Sequence, residues 1–183
     1  ESIYVEKRII DVEKEALCVL SSVLDIIGDT FGIFSFFSMG RNRIFYNIIK
    51  DFYEEWHPET QGRIPGIVGK ASNRDGCAIR HTVSRLLTLP HKTKLFILLS
   101  DGIPADLHYG STSSGETNVY AIEDTRRAII EARQGGIVPY CITIDHRAKE
   151  YIPRLYGDFN YAIINDVIQL PQKLTKLYIK LTK

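Results

Sequence analysis

Hydrophobic and polar positions follow two different periods along the chain, and each period predicts one kind of element. Apolar residues that recur every three to four positions predict amphipathic helices, at 11–27, 75–89, 119–134, 147–156 and 170–181, with a short helix at 51–57. Runs rich in β-branched and aromatic residues predict strands, at 31–37, 43–49, 94–99, 137–144 and 161–164. The segments 59–73 and 103–118 are predicted to be loops.

The order of these elements predicts an α/β fold. From residue 94 onward strands alternate with helices, which is typical of a doubly wound, mostly parallel sheet. The runs 31–37 and 43–49 are joined by the short segment 38–42 and predict an antiparallel hairpin at the edge of that sheet. The chain has 183 residues, the length of one domain, and we expect residues 1–183 to form it.

The segment from Lys94 to Gly102 gives the strongest indication of a site. Lys94 to Leu99 has the composition of a buried central strand, and the apolar run stops at Ser100-Asp101-Gly102. Ligands of open parallel sheets bind beyond the carboxyl ends of the strands. Asp101 is therefore the leading candidate for a functional carboxylate, with a capping role after the strand as the alternative.

Composition excludes several classes of partner. The formal net charge of +1 gives no electrostatic reason to expect nucleic acid or an anionic membrane as the main partner. No apolar run approaches the length of a membrane span, so we expect no membrane insertion. The three cysteines, Cys18, Cys77 and Cys141, form no C-x-x-C pair, which suits a reducing, cytoplasmic compartment.

Sequence motifs of catalysis are missing. The segment 62–70 resembles a phosphate loop, but Ile64 stands where the first glycine belongs and Ala71 replaces the Ser/Thr, so we expect no ATPase activity. There is no G-x-S-x-G motif, and the five histidines have no zinc-like spacing. The residues therefore indicate none of these three kinds of catalytic site.

An ordered set of short motifs resembles a known family. The motifs are Arg43–Phe52, Asn73–His81, Ser100–Asp106, Tyr120–Ala128, Cys141–Asp145 and Leu170–Leu174. Together with the order of elements they resemble a von Willebrand factor A domain, and more narrowly the C-terminal A domain of the NorD/CbbO family. The resemblance covers nearly the whole chain.

The resemblance implies a metal-ion-dependent adhesion site that holds Mg²⁺ or Mn²⁺ in the intact parent protein. Asp101 matches the family's third-loop aspartate, and Asn73 falls where its second-loop threonine is expected, although asparagine before a helix is also an ordinary N-cap. The D-x-S-x-S loop of the family is absent from this sequence and would lie just upstream of Glu1. We therefore expect an N-terminally truncated domain that lacks its first central strand and binds Mg²⁺ weakly or not at all.

The same resemblance implies a function and partners. Such domains are adaptors for a MoxR-type AAA+ ATPase that activates a client metalloenzyme, either nitric oxide reductase in denitrification or Rubisco. The resemblance therefore implies a non-catalytic interaction domain, and we expect that the chain is not an enzyme. Arg74, Asp75, Ser100 and Asp106 are the predicted partner-binding residues, and Glu123 and Asp124 flank the same face. Unpaired sheet edges also predict a strand-exchanged dimer of the truncated chain. The alternatives are a metal-dependent, phosphatase-like enzyme using Asp101, or an adhesive A domain of another type.

Overall fold

The parallel sheet forms at the predicted strands. A computed structural model describes residues 8–69, 72–107, 109, 119–145, 147–158, 160–164 and 167–182. The helices and strands are α1 (Ile9–Ile27), β1 (Ile33–Ser38), β2 (Ile44–Lys50), α2 (Pro58–Gln61), α3 (Asp75–Leu87), β3 (Lys94–Ser100), α4 (Val119–Gln134), β4 (Ile137–Thr143), α5 (Ala148–Tyr156), β5 (Tyr161–Ile163) and α6 (Leu170–Thr182). The contacts within the chain divide it into two compact units.

One unit, Phe36–Tyr46 and Lys70–Asn165, contains the parallel sheet. Its strand order is β3-β4-β5, with Lys94 opposite Ile137 and Cys141 opposite Tyr161. Helices α3 and α4 pack against each other, and α4 and α5 both contact β4. The apolar face that the sequence predicts for α4 is buried, including Ala128, Ile129 and Ala132. This unit confirms the α/β class.

The sequence predicts that strand β3 is a buried central strand, but it is neither central nor fully buried among the described residues. It is paired with β4 on one side only, within the part of the chain that the structure describes. Most of its residues are half-buried, whereas β4 is buried at all positions except Val138. The apolar sequence of β3 indicated burial on both faces, and the single pairing explains why that burial is incomplete. The predicted absence of a first central strand stays a prediction.

The other unit, Glu1–Ser35, Asn47–Gly69 and Asp166–Lys183, is built on two packed helices. Helix α1 buries Val12, Ala16, Leu20 and Leu24 and packs against α6. It ends at Gly28, which has a φ of 79°, a left-handed conformation that favours glycine. A separate apolar cluster joins Ile33, Ile49, Trp56 and Ile64.

Two details of the sequence prediction are wrong. The hairpin β1–β2 forms a two-stranded sheet of its own and is not an edge of the parallel sheet. Residues 51–57 form turns instead of a helix, because the Asp51 and Glu54 side chains accept hydrogen bonds from the backbone N–H groups of Phe52 and Asp51. The helical turn begins only at Pro58, a residue whose fixed φ suits the first position of a helix.

Candidate functional site at the edge of the parallel sheet

The carboxyl end of β3 presents Asp101 to solvent. Ser100 turns the chain there, since its Oγ donates a hydrogen bond to the carbonyl oxygen of Gly102 at 2.9 Å. The Asp101 side chain is exposed, and none of the described residues donates a hydrogen bond to it. Ser100 thus has a positioning role, and Asp101 is the accessible carboxylate of this edge.

Asn73 joins the start of α3 to the loop that follows β3. Its backbone N–H donates to the carbonyl oxygen of Ala105 at 2.8 Å, and its Oδ1 accepts from the Ala105 N–H at 3.1 Å. Its Nδ2 donates to Oδ1 of Asp75 at 2.7 Å. Arg74 occupies the N-cap position of α3 and makes no side-chain cap bond, so the N-cap alternative for Asn73 is wrong. Both ends of its amide are used within the protein.

Asp75 is a buried carboxylate, 3% exposed, in the first turn of α3. Burial raises its pKa to about 7, and the nearby charge of Asp101 acts in the same direction, against the hydrogen bond from Asn73. This carboxyl group is therefore easier to protonate than an exposed aspartate. The edge thus combines an exposed carboxylate, Asp101, with a buried one whose pKa is raised.

Arg74 and Asp106 form a buried ion pair, with Nε donating to Oδ2 at 2.7 Å. Arg74 also donates to the carbonyl oxygen of Leu107 and covers the ring of Tyr109, 4.4 Å from its centroid. Asp106 also accepts from the N–H groups of Gly40 and Leu107. Burial by itself would raise the pKa of Asp106. The hydrogen bonds outweigh this effect and hold that pKa below its usual range. The charged groups bind each other, and a partner-binding role for them stays a prediction.

Sequence reasoning did not find a second network on the same side of α3. The Tyr109 hydroxyl donates to Oδ2 of Asp124, and Arg80 donates to Oδ1 of Asp124 at 2.8 Å and to Glu131 at 2.7 Å. Gly76 makes room for this contact, because a Cβ there would lie 2.1 Å from the Asp124 carboxylate oxygen. A glycine in the first turn of a predicted helix was the only signal for it.

Four exposed apolar residues adjoin these polar groups in sequence or by a ring contact. Met39, Leu107, Val119 and Tyr120 are between 58% and 64% exposed. Met39 precedes Gly40, whose N–H binds Asp106, and the ring of Tyr120 lies edge-on to that of Tyr109 at 5.7 Å. We call these four residues the apolar rim. Exposed apolar residues beside a rigid polar network are typical of a surface that contacts a protein.

The donors at this edge do not fit a complete divalent-cation site. Mg²⁺ takes six oxygen ligands in octahedral geometry. Asp101 is one accessible carboxylate, Asp75 is buried, and the Asn73 carbonyl already accepts from Ala105. No group of three His, Cys, Asp or Glu side chains suitable for a metal occurs among the residues described here. Further ligands would have to come from outside these residues.

Comparison with known proteins finds similarity to proteins that include NorD. It is 38% identical to an uncharacterized protein of Pseudomonas aeruginosa over 97% of the chain. It is 36% identical to the protein NorD of Brucella melitensis over 94% of the chain. The chain spans only 28% and 26% of the lengths of these two relatives. It is therefore homologous to one segment of NorD proteins. No protein-family model matches it.

A solved structure supports the fold alone. The proximal thread matrix protein 1 of the mussel byssus superposes on 98% of this chain and 43% of its own, with a TM-score of 0.64 and 16% sequence identity. None of the described helices is long and apolar enough to span a membrane.

Proposed function

We propose that this chain is the interaction domain of a NorD-like accessory protein and performs no catalysis. The observation that carries the proposal is the 36% identity to NorD over nearly the whole chain. The geometry of the sheet edge supports it, because the polar groups there bind one another and hold two loops in place. An exposed carboxylate and the apolar rim remain for contact with another protein.

The enzyme alternative receives no support from this edge. A nucleophile needs a base within hydrogen-bond reach. The Ser100 hydroxyl donates a hydrogen bond to the carbonyl oxygen of Gly102, which is not a base. The Tyr109 hydroxyl does donate to the Asp124 carboxylate, but Tyr109 is only 1% exposed. Burial raises the pKa of the Cys141 thiol, which disfavours the reactive thiolate. Among the described residues, Asp101 forms no hydrogen bond with any of these hydroxyl or thiol groups.

The proposed partners are a MoxR-type AAA+ ATPase and the metalloenzyme that it activates, of the nitric oxide reductase or Rubisco type. In this proposal the ATPase supplies the energy of ATP hydrolysis. The domain positions the ATPase on the client metalloenzyme in the cytoplasm. Asp101 contributes one ligand to a Mg²⁺ or Mn²⁺ ion whose other ligands come from the longer parent protein.

The test uses the full-length parent in cells that lack their own NorD. Leu107→Glu with Tyr120→Glu places two charges in the apolar rim, and Ile26→Glu changes a residue of α1 that is 83% exposed. We expect the rim variant to lose copurification with the ATPase and nitric oxide reductase activity, and Ile26→Glu to retain both. Full activity and copurification of the rim variant would contradict the proposal.

The metal part is tested separately by calorimetric titration of Mn²⁺ into this chain and into the parent. We expect saturable binding to the parent, lost in Asp101→Ala, and weak or no binding to the chain alone. Binding to the parent that survives Asp101→Ala would remove Asp101 from the site without affecting the proposed interaction.

A further inference from the structure

A pocket of about 390 Å³ opens beside the C-terminal end of α1. Four carboxylates line it: Asp25, Asp29, Glu54 and Glu55. Glu54 is paired with Arg63 at 2.9 Å. Asp25, Asp29 and Glu55 are exposed and form no ion pair with any described residue, but Asp29 accepts a hydrogen bond from the Tyr178 hydroxyl. We call this the aromatic pocket, for the rings of Phe31, Phe52 and Trp56 in its lining, which also contains Thr30, Lys50 and His57.

The helix adds to the negative potential of the aromatic pocket. Asp25 lies in the last turn of α1, which contains no basic residue. The C-terminal end of a helix carries a partial negative charge, so a carboxylate there is unfavourable and a cation is favourable. The sequence therefore places a negative side chain where folding alone would favour a positive one.

One ammonium group of the chain already occupies a wall of the aromatic pocket. Lys50 is 2% exposed, and its Nζ donates to the carbonyl oxygens of Phe31 at 2.8 Å and Asp51 at 3.0 Å. The same nitrogen lies 4.1 Å from the centroid of the Phe31 ring, which packs edge-on against Trp56. Carbonyl oxygens, a ring face and nearby carboxylates thus hold an ammonium group that is almost fully removed from water.

We propose that the aromatic pocket binds a further alkylammonium group, supplied by a free polyamine or by a lysine side chain of another protein. Lys50 supplies one positive charge, and Asp29 accepts a hydrogen bond from Tyr178. The side chains of Asp25 and Glu55 are therefore the lining carboxylates that have neither an ion pair nor a hydrogen bond with a described residue. The negative charges of these carboxylates would repel an anion. A neutral ligand would remove water from the carboxylates without a compensating interaction. A flexible amine satisfies them and places its methylene groups on the rings. This inference does not depend on the proposed NorD-like function.

The experiment titrates the whole chain calorimetrically with cadaverine, with spermidine, and with a short lysine peptide and its acetyl-lysine form. The matched variants are Asp25→Asn with Glu55→Gln, which removes pocket charge, and Glu59→Gln, an 80% exposed carboxylate outside the pocket. We expect saturable binding at low salt, weakened about tenfold or more by the double variant and less than about twofold by Glu59→Gln. Acetylation should abolish peptide binding.

Each outcome is decisive. Binding of the free amines identifies a polyamine site, and binding of the lysine peptide alone identifies a protein partner. No saturable binding of any probe overturns the proposal, as does equal weakening by the double variant and by Glu59→Gln. Circular dichroism verifies folding, and Glu55→Gln alone replaces the double variant if that variant is unfolded.

Discussion

Three carboxylates at the edge of the parallel sheet and two of the four in the aromatic pocket have opposite surroundings. The other two pocket acids, Asp29 and Glu54, accept hydrogen bonds from Tyr178 and Arg63. Asp75, Asp106 and Asp124 each accept a hydrogen bond from a neighbouring side chain. Asp25 and Glu55 are exposed and have no such partner among the described residues. All of these groups are carboxylates, so the carboxylate charge alone does not distinguish the structural acids from those available to a ligand. The presence of a hydrogen-bond partner does. Asp101 is the one acid of the sheet edge that resembles Asp25 and Glu55.

The largest expected effect comes from opening the buried ion pair at the sheet edge. Arg74→Met leaves the Asp106 carboxylate buried without its cation, and we expect the free energy of unfolding to fall by about 3–5 kcal/mol. The comparison is Arg126→Met, which removes a partly exposed pair with Glu123 and should cost much less. Urea denaturation measures both. Equal losses would show that burial does not distinguish the two pairs.

Asp75 should give the sheet edge an unusual pH dependence. The pKa of Asp75 is about 7 in the folded chain and 3.8 in the unfolded chain. Between pH 3.8 and 7 the folded state therefore binds a proton at Asp75 more strongly than the unfolded state does. Stability contributed by this group is therefore complete below pH 4 and is lost as the pH rises toward 7, by at most about 4 kcal/mol. Asp75→Asn should remove this slope. Urea denaturation from pH 4 to 8 in the presence of a chelator tests it, and an unchanged slope would contradict the assignment.

Gly76 tests the closeness of the Asp124 contact. Gly76→Ala places a methyl group 2.1 Å from Oδ2 of Asp124, and we expect a loss of about 2 kcal/mol despite the better helix propensity of alanine. At Gly102 a Cβ would meet nothing within 4 Å, so Gly102→Ala should have little effect. Thermal denaturation compares the two. Adding Asp124→Ala to Gly76→Ala should recover part of the loss if the steric contact is its cause.

The sequence predicted the helices and the parallel strands because their apolar periodicity is local. Helix α4 has the predicted bounds, and β4 differs from its prediction by one residue. The pairing of Arg74 with Asp106 spans 32 positions and depends on how two loops meet, which no local pattern specifies. Similarly, the pairing of Arg80 with Glu131 joins two helices across 51 positions.

The candidate sites were predictable to different degrees. Asp101 follows from its position after an apolar strand, and the structure places it exposed at that strand's end. The aromatic pocket was not predicted, because its acids come from the end of α1 and from the turns after β2. Trp56, which the sequence places in a polar and acidic segment, is 9% exposed and joins the apolar cluster around Ile33.

The smallest expected effect on the free energy of unfolding is at Asp25. The sign of that effect decides whether the pocket acids differ from those of the sheet edge. Asp25→Asn removes an unfavourable charge from the last turn of α1 and a favourable one near the buried Lys50. We expect the helix end to dominate, so the free energy of unfolding should stay unchanged or rise by up to about 0.5 kcal/mol. Asp11→Asn makes the same change in the first turn of that helix, where the carboxylate binds Arg8 at 2.8 Å, and should lower stability. Urea denaturation of both variants gives the two signs. A clear loss for Asp25→Asn would make this acid structural, and the distinction between the pocket and the sheet edge would then fail. A gain would mean that the chain keeps a carboxylate at a place where folding disfavours it, as expected of a group that serves a ligand.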